Sequence, residues 1–146
     1  MTARIAGLTR YRGKGGPGEA LSEAELLEGV GMEGDMRRGG DRQISLLPAE
    51  TREWMETRAE PGLCFGKFRE NILIDGNVLK KMTDGGRLSI GKAVLRVSLG
   101  KKRCYGECWL VNRGEECRLQ DGAVFAAVES GGTVRVGDSV NLLIAK

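Results

Sequence analysis

Residues 87–98, RLSIGKAVLRVS, narrow the choice of fold more than any other stretch of the chain. Apolar and polar side chains alternate on both sides of Gly91-Lys92, and a period of two places one face of each arm in a core and the other in solvent. A glycine at the reversal permits a tight turn, so the stretch reads as two paired strands. Shorter copies of the pattern follow. Ile72 to Ile74 precedes a turn signal at Asp75-Gly76; residues 124–128, 133–136 and 139–144 alternate in the same way, with Gly131-Gly132 and Gly137-Asp138 as turns. From residue 75 onward the chain reads as repeated hairpins. Upstream, residues 2–12 put Ala3, Ile5 and Gly7 on one parity, and residues 43–47 form a short apolar run.

Helical signals are few. Residues 48–59, PAETREWMETRA, carry Pro at the first turn, Glu50 and Glu53 early and Arg58 late, with Trp54 and Met55 for a buried face. Ser22 with Glu25 three residues on reads as the cap of a short helical turn over 22–28, ended by Gly29. Many short strands, 23 glycines and one main helix in 146 residues predict a mainly β fold, a closed or nearly closed β-barrel. The length suits a single domain over 1–146.

Charge and composition set exclusions. With 23 Lys+Arg against 20 Asp+Glu the chain offers no strong field, so neither nucleic acid nor a membrane is an expected partner. No apolar run reaches the roughly 18 residues of a membrane span. The first residues lack the apolar segment of a signal peptide, and a cytoplasmic location is expected. Histidine is absent altogether, which removes Ser-His-Asp and Cys-His catalysis and every His-containing zinc site. Nucleophiles and ligands must come from Cys, carboxylate, Lys or the backbone.

Two stretches carry the remaining chemistry. The four cysteines are Cys64, Cys104, Cys108 and Cys117, expected to be reduced in a chain without a secretory signal. The spacing of the last three contains no C-x2-C pair, so no zinc is expected, although three thiols could contribute to a soft-metal site. Cys104 follows Lys101, Lys102 and Arg103. Adjacent cations raise the thiolate fraction and burial opposes them, which leaves a functional thiol and a partly buried bystander as the two readings. Cys64, Cys108 and Cys117 read as structural. The second stretch is residues 29–47, where glycine-rich turns bring Asp35, Arg37, Arg38 and Arg42 near a strand end. It reads either as a solvated charge cluster or as a corner that receives an anion. The Gly/Lys loop after Arg12 lacks the Walker pattern and reads as a surface loop.

These pieces also occur in a recognisable order: Gly31-Met32-Glu33-Gly34-Asp35, Arg42-Gln43-Ile44-Ser45-Leu46-Leu47, Glu70-Asn71-Ile72, Leu88-Ser89-Ile90-Gly91, Lys102-Arg103-Cys104, Val124-Phe125-Ala126 and residues 131–138, GGTVRVGD. The set resembles the MOSC domain, the C-terminal domain of molybdenum cofactor sulfurase and its small stand-alone bacterial relatives, and the match runs from about residue 2 to residue 143. The resemblance implies a barrel of MOSC type in which Cys104 is the signature cysteine, carrying sulfur as a persulfide or ligating molybdenum. It places Asp35, Arg42, Glu70 and Asn71 along the pocket beside that cysteine. Lys102, Arg103 and the Arg42 corner would face the phosphate of a molybdopterin, with molybdenum cofactor as the implied group.

The chain departs from the family pattern where Arg37 and Tyr105 stand in place of frequent histidines and Ala127 in place of a frequent arginine. The implied function is a molybdenum cofactor-binding or sulfur-carrier protein acting through the Cys104 thiolate. Its implied partners are cofactor-biosynthesis or sulfur-donor proteins. The implied enzyme classes are sulfur transfer and a molybdenum-dependent reductase component, the latter needing a separate electron donor. The alternative is a non-catalytic accessory barrel that recognises a partner protein of the cofactor pathway.

Overall fold

Alternation becomes architecture wherever one strand face can be buried. The computed structural model describes residues 3–13, 16–40, 42–57, 70–76, 78–82, 85–98 and 123–143. In chain order these hold β1 (Ala3–Arg10), β2 (Glu19–Leu21), β3 (Glu23–Leu27), β4 (Gly31–Met32), β5 (Ile44–Pro48), α1 (Ala49–Thr57) and β6 (Ile72–Asp75). A 3-10 turn (Val78–Lys81), β7 (Arg87–Ile90), β8 (Ala93–Ser98), β9 (Val124–Ser130), β10 (Gly132–Arg135) and β11 (Ser139–Leu143) complete the set. Hydrogen bonding runs β1, β11, β7, β8, β9, β5, β6 and back to β1, so seven strands close a barrel. Closure removes the unpaired edges that an open sheet exposes.

Inward side chains fill the barrel: Ile5 and Leu8 from β1, Ile44 and Leu46 from β5, Ile72 and Ile74 from β6, Leu88 and Ile90 from β7, Leu95 and Val97 from β8. A second sheet, ordered β10, β3, β4, adds Ala24, Leu26, Met32 and Val134 to the same core. Every barrel pairing is antiparallel except β5 with β6, where Leu46 stands opposite Ile72. Parallel neighbours require a crossover, and α1 lies within it, immediately after Pro48. Thr51 and Met55 are the buried residues of α1, whereas Trp54 is half-buried. Among the described residues no helix is long and apolar enough to cross a membrane.

Three local expectations change. Residues 22–28 are not a helical turn: Glu23–Leu27 is β3, and it pairs with β10 in the register Ala24 to Val134 and Leu26 to Gly132. The capping signal loses because Ala24 and Leu26, two apart, enter the core only from a strand. In β1 a bulge between Ile5 and Gly7 shifts the parity, so Leu8 rather than Gly7 takes the next inward position. The last strands are not successive hairpins either: β10 belongs to the small sheet, and β11 pairs with β7 and β1. Only β7 and β8 form the direct hairpin expected there, turning at Gly91 with φ of +56°.

Candidate functional site

The polar residues that the sequence placed together meet where β1 ends and β5 and β6 begin. Asn71 is 1% exposed, and its amide is fully used. Nδ2 donates to Thr9 O at 3.1 Å and to Asp35 Oδ1 at 3.0 Å, while Oδ1 accepts from Ser45 N at 3.0 Å and from Ser45 Oγ at 3.2 Å. Asp35, 4% exposed, also accepts from Tyr11 N at 2.8 Å through Oδ1 and from Arg37 N at 3.0 Å through Oδ2. A buried carboxylate is tolerated because charge-assisted donors surround it. Both oxygens are thereby committed to the protein, and the pair holds the turn after β4 against the barrel.

The arginines ride on that turn. Its backbone is tied to the barrel side by Met36 N donating to Tyr11 O at 2.7 Å and to the small sheet by Gly39 N donating to Val30 O at 2.9 Å. Gln43 closes it, accepting from Val128 N at 2.9 Å through Oε1 and donating from Nε2 to Gly40 O at 2.9 Å. Gly31 is required beneath, because a Cβ there would sit 3.0 Å from Gln43 O and its φ is +128°. So held, Arg37 and Arg42 both cover Phe125, with guanidinium carbons 5.3 and 4.6 Å from the ring centroid. Phe125 points away from the barrel interior, between the inward Val124 and Ala126, and is 4% exposed beneath the arginines. Cation–π contact offsets part of the cost of holding two like charges together. Burial pushes the Arg37 guanidinium below its ordinary range; Asp35 opposes that shift and Arg42 adds to it. Among the described residues neither guanidinium has a carboxylate partner.

Asp35, Arg42 and Asn71 are therefore brought into one neighbourhood, and Glu70 adjoins it with a different bond. Its carboxylate accepts from Arg52 Nε at 3.1 Å through Oε1 and pairs with Arg52 Nη2 through Oε2, fastening α1 to the start of β6. Cys104, Lys102, Arg103 and Cys64 lie outside the described residues. The segment that carries Cys104 joins β8 to β9, whose register sets Ser98 opposite Phe125, so its root lies at the arginine-covered ring. Phe125, Ser45 and Arg52 are not among the site residues expected from sequence: Val124-Phe125-Ala126 and the run holding Ser45 enter as strands and as pieces of the family resemblance, and the side on which Phe125 emerges depends on barrel register.

The donor set discriminates between groups. Two guanidiniums with no carboxylate ion-pair partner among the described residues suit the oxygens of an anion such as the phosphate of molybdopterin. No group of three or more metal-ligating side chains gathers among the described residues, and Asp35 has no free oxygen to give a metal. A thiolate ligand would have to come from the cysteines, all four of which lie outside the described residues.

The model of the MOSC domain matches residues 33–141. No curated protein matches the chain in sequence. Among solved structures, the YuaD protein of Bacillus subtilis is similar with a TM-score of 0.67 at 20% identity, over 96% of this chain and 94% of that one. YiiM of Escherichia coli matches with a TM-score of 0.62 at 22% identity, over 100% and 71% of the two chains. YiiM of Geobacillus stearothermophilus gives 0.63 at 16%, over 97% and 75%. At these identities the likeness speaks to the fold.

Proposed function

The chain belongs to the MOSC domain family, and on that premise we propose that it is a molybdenum cofactor-binding or sulfur-carrier protein that handles sulfur or molybdenum through the Cys104 thiolate. The observation that carries the reading is the arginine-covered Phe125 at the root of the segment bearing Cys104. Cys104 stands six residues past Ser98, within about 20 Å of it by chain length alone. An anionic pterin phosphate held at Arg37 and Arg42 would sit within range of that thiolate, with Lys102 and Arg103 raising its thiolate fraction. The bound cofactor would supply a sulfur-accepting or redox-active metal centre; the protein supplies the anion corner and the soft ligand.

For sulfur carriage the step needs no outside oxidant. The Cys104 thiolate attacks the terminal sulfur of a donor persulfide R–S–SH, the S–S bond breaks, Cys104–S–SH forms and the R–S thiolate leaves. The donor would be a sulfur-donor protein of cofactor biosynthesis.

The test is mass spectrometry of the Cys104 peptide after exposure to a persulfide donor, with pterin retention measured separately after exposure to molybdopterin. An added mass of about 32 Da, one sulfur, or retained pterin is expected, and both should be lost in Cys104→Ala. Uptake of neither, or uptake indifferent to that variant, overturns the reading. One observation favours the accessory barrel instead: Asp35, Glu70 and Asn71 are all engaged within the protein, as they would be in a scaffold. In that reading, capture of a cofactor-pathway protein would be unaffected by Cys104→Ala.

A further inference from the structure

We propose that the cleft between the barrel and the small sheet is a second binding site, one that takes a small zwitterion: a free α-amino acid with a polar side chain. The cleft is separate from the arginine corner and does not depend on the proposed function.

Two glycines let the walls of the cleft approach each other. The β7–β8 turn reaches across to the small sheet, where a Cβ on Gly132 would sit 3.2 Å from the Lys92 carbonyl, and a Cβ on Gly91 would sit 2.6 Å from Asp138 Oδ2. Beside that contact lies a cavity of about 430 Å³, within the size range of small-molecule sites. Its floor is the outward face of the β7–β11 pair. Leu88, Ile90 and Val140 point into the core, so alternation turns Ser89, Ser139 and Asn141 outward, with Ser89 directly opposite Asn141. Lys92, Thr133, Arg135 and Asp138 line the rest. The cleft and the corner lie at opposite ends of β8: Lys92 immediately precedes Ala93, whereas Ser98 stands opposite Phe125, about 17 Å further along the strand.

The groups left uncommitted decide the ligand. Thr133 Oγ1 donates to Glu25 Oε2 at 2.6 Å and Arg135 Nε to Glu23 Oε2 at 3.0 Å, so both are taken. Asp138 Oδ2 accepts from Arg135 N at 2.8 Å, which orients the carboxylate and leaves Oδ1 without a partner among the described residues. Among the same residues the side chains of Ser89, Lys92, Ser139 and Asn141 make no hydrogen bond or ion pair, and Lys92 does not pair with Asp138 although both line the cavity. The cavity therefore offers one ammonium, one carboxylate oxygen, two hydroxyls and one amide. A ligand that carries both a carboxylate and an ammonium meets an opposite charge with each, whereas a singly charged one leaves a protein charge unmatched. The hydroxyls and the amide both donate and accept, which suits a polar side chain.

Chemical-shift titration of the isotope-labelled full chain near about pH 6.5, where the ligand's carboxylate and ammonium are both charged, tests the assignment with four probes. They are L-glutamine, N-acetylglutamine without the ammonium, glutamine α-amide without the carboxylate, and glycerol with hydroxyls alone. Glutamine should bind in about the millimolar range and move the amides of Ser89, Gly91, Lys92 and Ser139 but not that of Phe125. Each blocked form should bind about tenfold more weakly, one charge-assisted contact being worth that much. Lys92 is exposed, so Lys92→Gln leaves the fold alone; it should weaken glutamine about tenfold and leave the α-amide within about twofold. Asp138→Asn keeps an oxygen for Arg135 N, and it should weaken glutamine while sparing the N-acetyl form. A merely structural role would weaken every probe together. Blocked forms or glycerol binding as tightly as glutamine, shifts confined to the Phe125 corner, variants that do not separate the probes, or no binding at about 10 mM would each overturn the proposal.

Discussion

Asn71→Ala is the substitution whose cost can be worked most directly from the structure. It withdraws four hydrogen bonds from a site that is 1% exposed. Two of the groups left behind keep a partner: Asp35 Oδ1 still accepts from Tyr11 N, and Ser45 Oγ still accepts from the backbone N of residue 71. The loss therefore concentrates on the hydrogen bond that Ser45 N–H donates to the Asn71 amide oxygen, and on the void left by the missing amide. An orphaned buried polar group costs about 1–3 kcal/mol, and with the lost contacts a total near 3 kcal/mol is expected. For a domain of this length that lowers the midpoint of thermal unfolding by about 6–12 °C. Asn71→Asp separates a hydrogen-bonding role from a packing role, because it keeps the shape and turns an acceptor towards Thr9 O and Asp35 Oδ1. The new carboxyl must have a folded pKa above its unfolded value, so its penalty is absent below about pH 4, grows as pH rises through the unfolded value and is complete above the folded one. Circular dichroism melts of the natural chain, Asn71→Ala and Asn71→Asp between acid and neutral pH make the check. A loss under about 0.5 kcal/mol for Asn71→Ala, or an Asn71→Asp deficit that does not shrink on acidification, would refute the reasoning.

Gly131→Ala puts a Cβ 2.6 Å from Leu26 O, a backbone atom in a paired strand that has no room to move; chemical denaturation should show a loss of about 1–3 kcal/mol, against a near-neutral Gly13→Ala, where nothing lies within 4 Å. A double-mutant cycle on Arg52 and Glu70, whose side chains are 22% and 14% exposed, should give a coupling of about 1–2 kcal/mol, below that of a fully buried pair because water still screens it. The Arg10 hydrogen bond holds the Glu19 carboxyl below its usual range, against an opposing desolvation effect, with Arg12 assisting. A depressed folded pKa means this stabilisation is present at neutral pH and lost as pH falls through the folded value. The melting difference between the natural chain and Glu19→Gln should therefore close on acidification, and salt should narrow it at neutral pH.

Read alone, the sequence determined the β character, the β7–β8 hairpin and its turn, the main helix to within two residues at each end, and the ordered pieces that identify the MOSC domain. Each of these rests on neighbours in the chain: alternation, a glycine at a reversal, a run of helix formers after a proline. It also gathered Arg37 and Arg42 at one corner, because a glycine-rich turn leaves charged side chains few other places. Only the tertiary structure decided that residues 23–27 are a strand, since the partner that overrules the Ser22 capping signal is β10, more than a hundred residues later. Likewise it decided that β10 leaves the barrel for the small sheet, and that a bulge makes Leu8 the inward residue of β1. The same holds at the site. Asn71 meets Ser45 and Asp35, and Phe125 emerges under two guanidiniums, because barrel closure sets which face of each strand looks outward. Local preference acts over a few residues, whereas these contacts join segments that only closure of the barrel brings together.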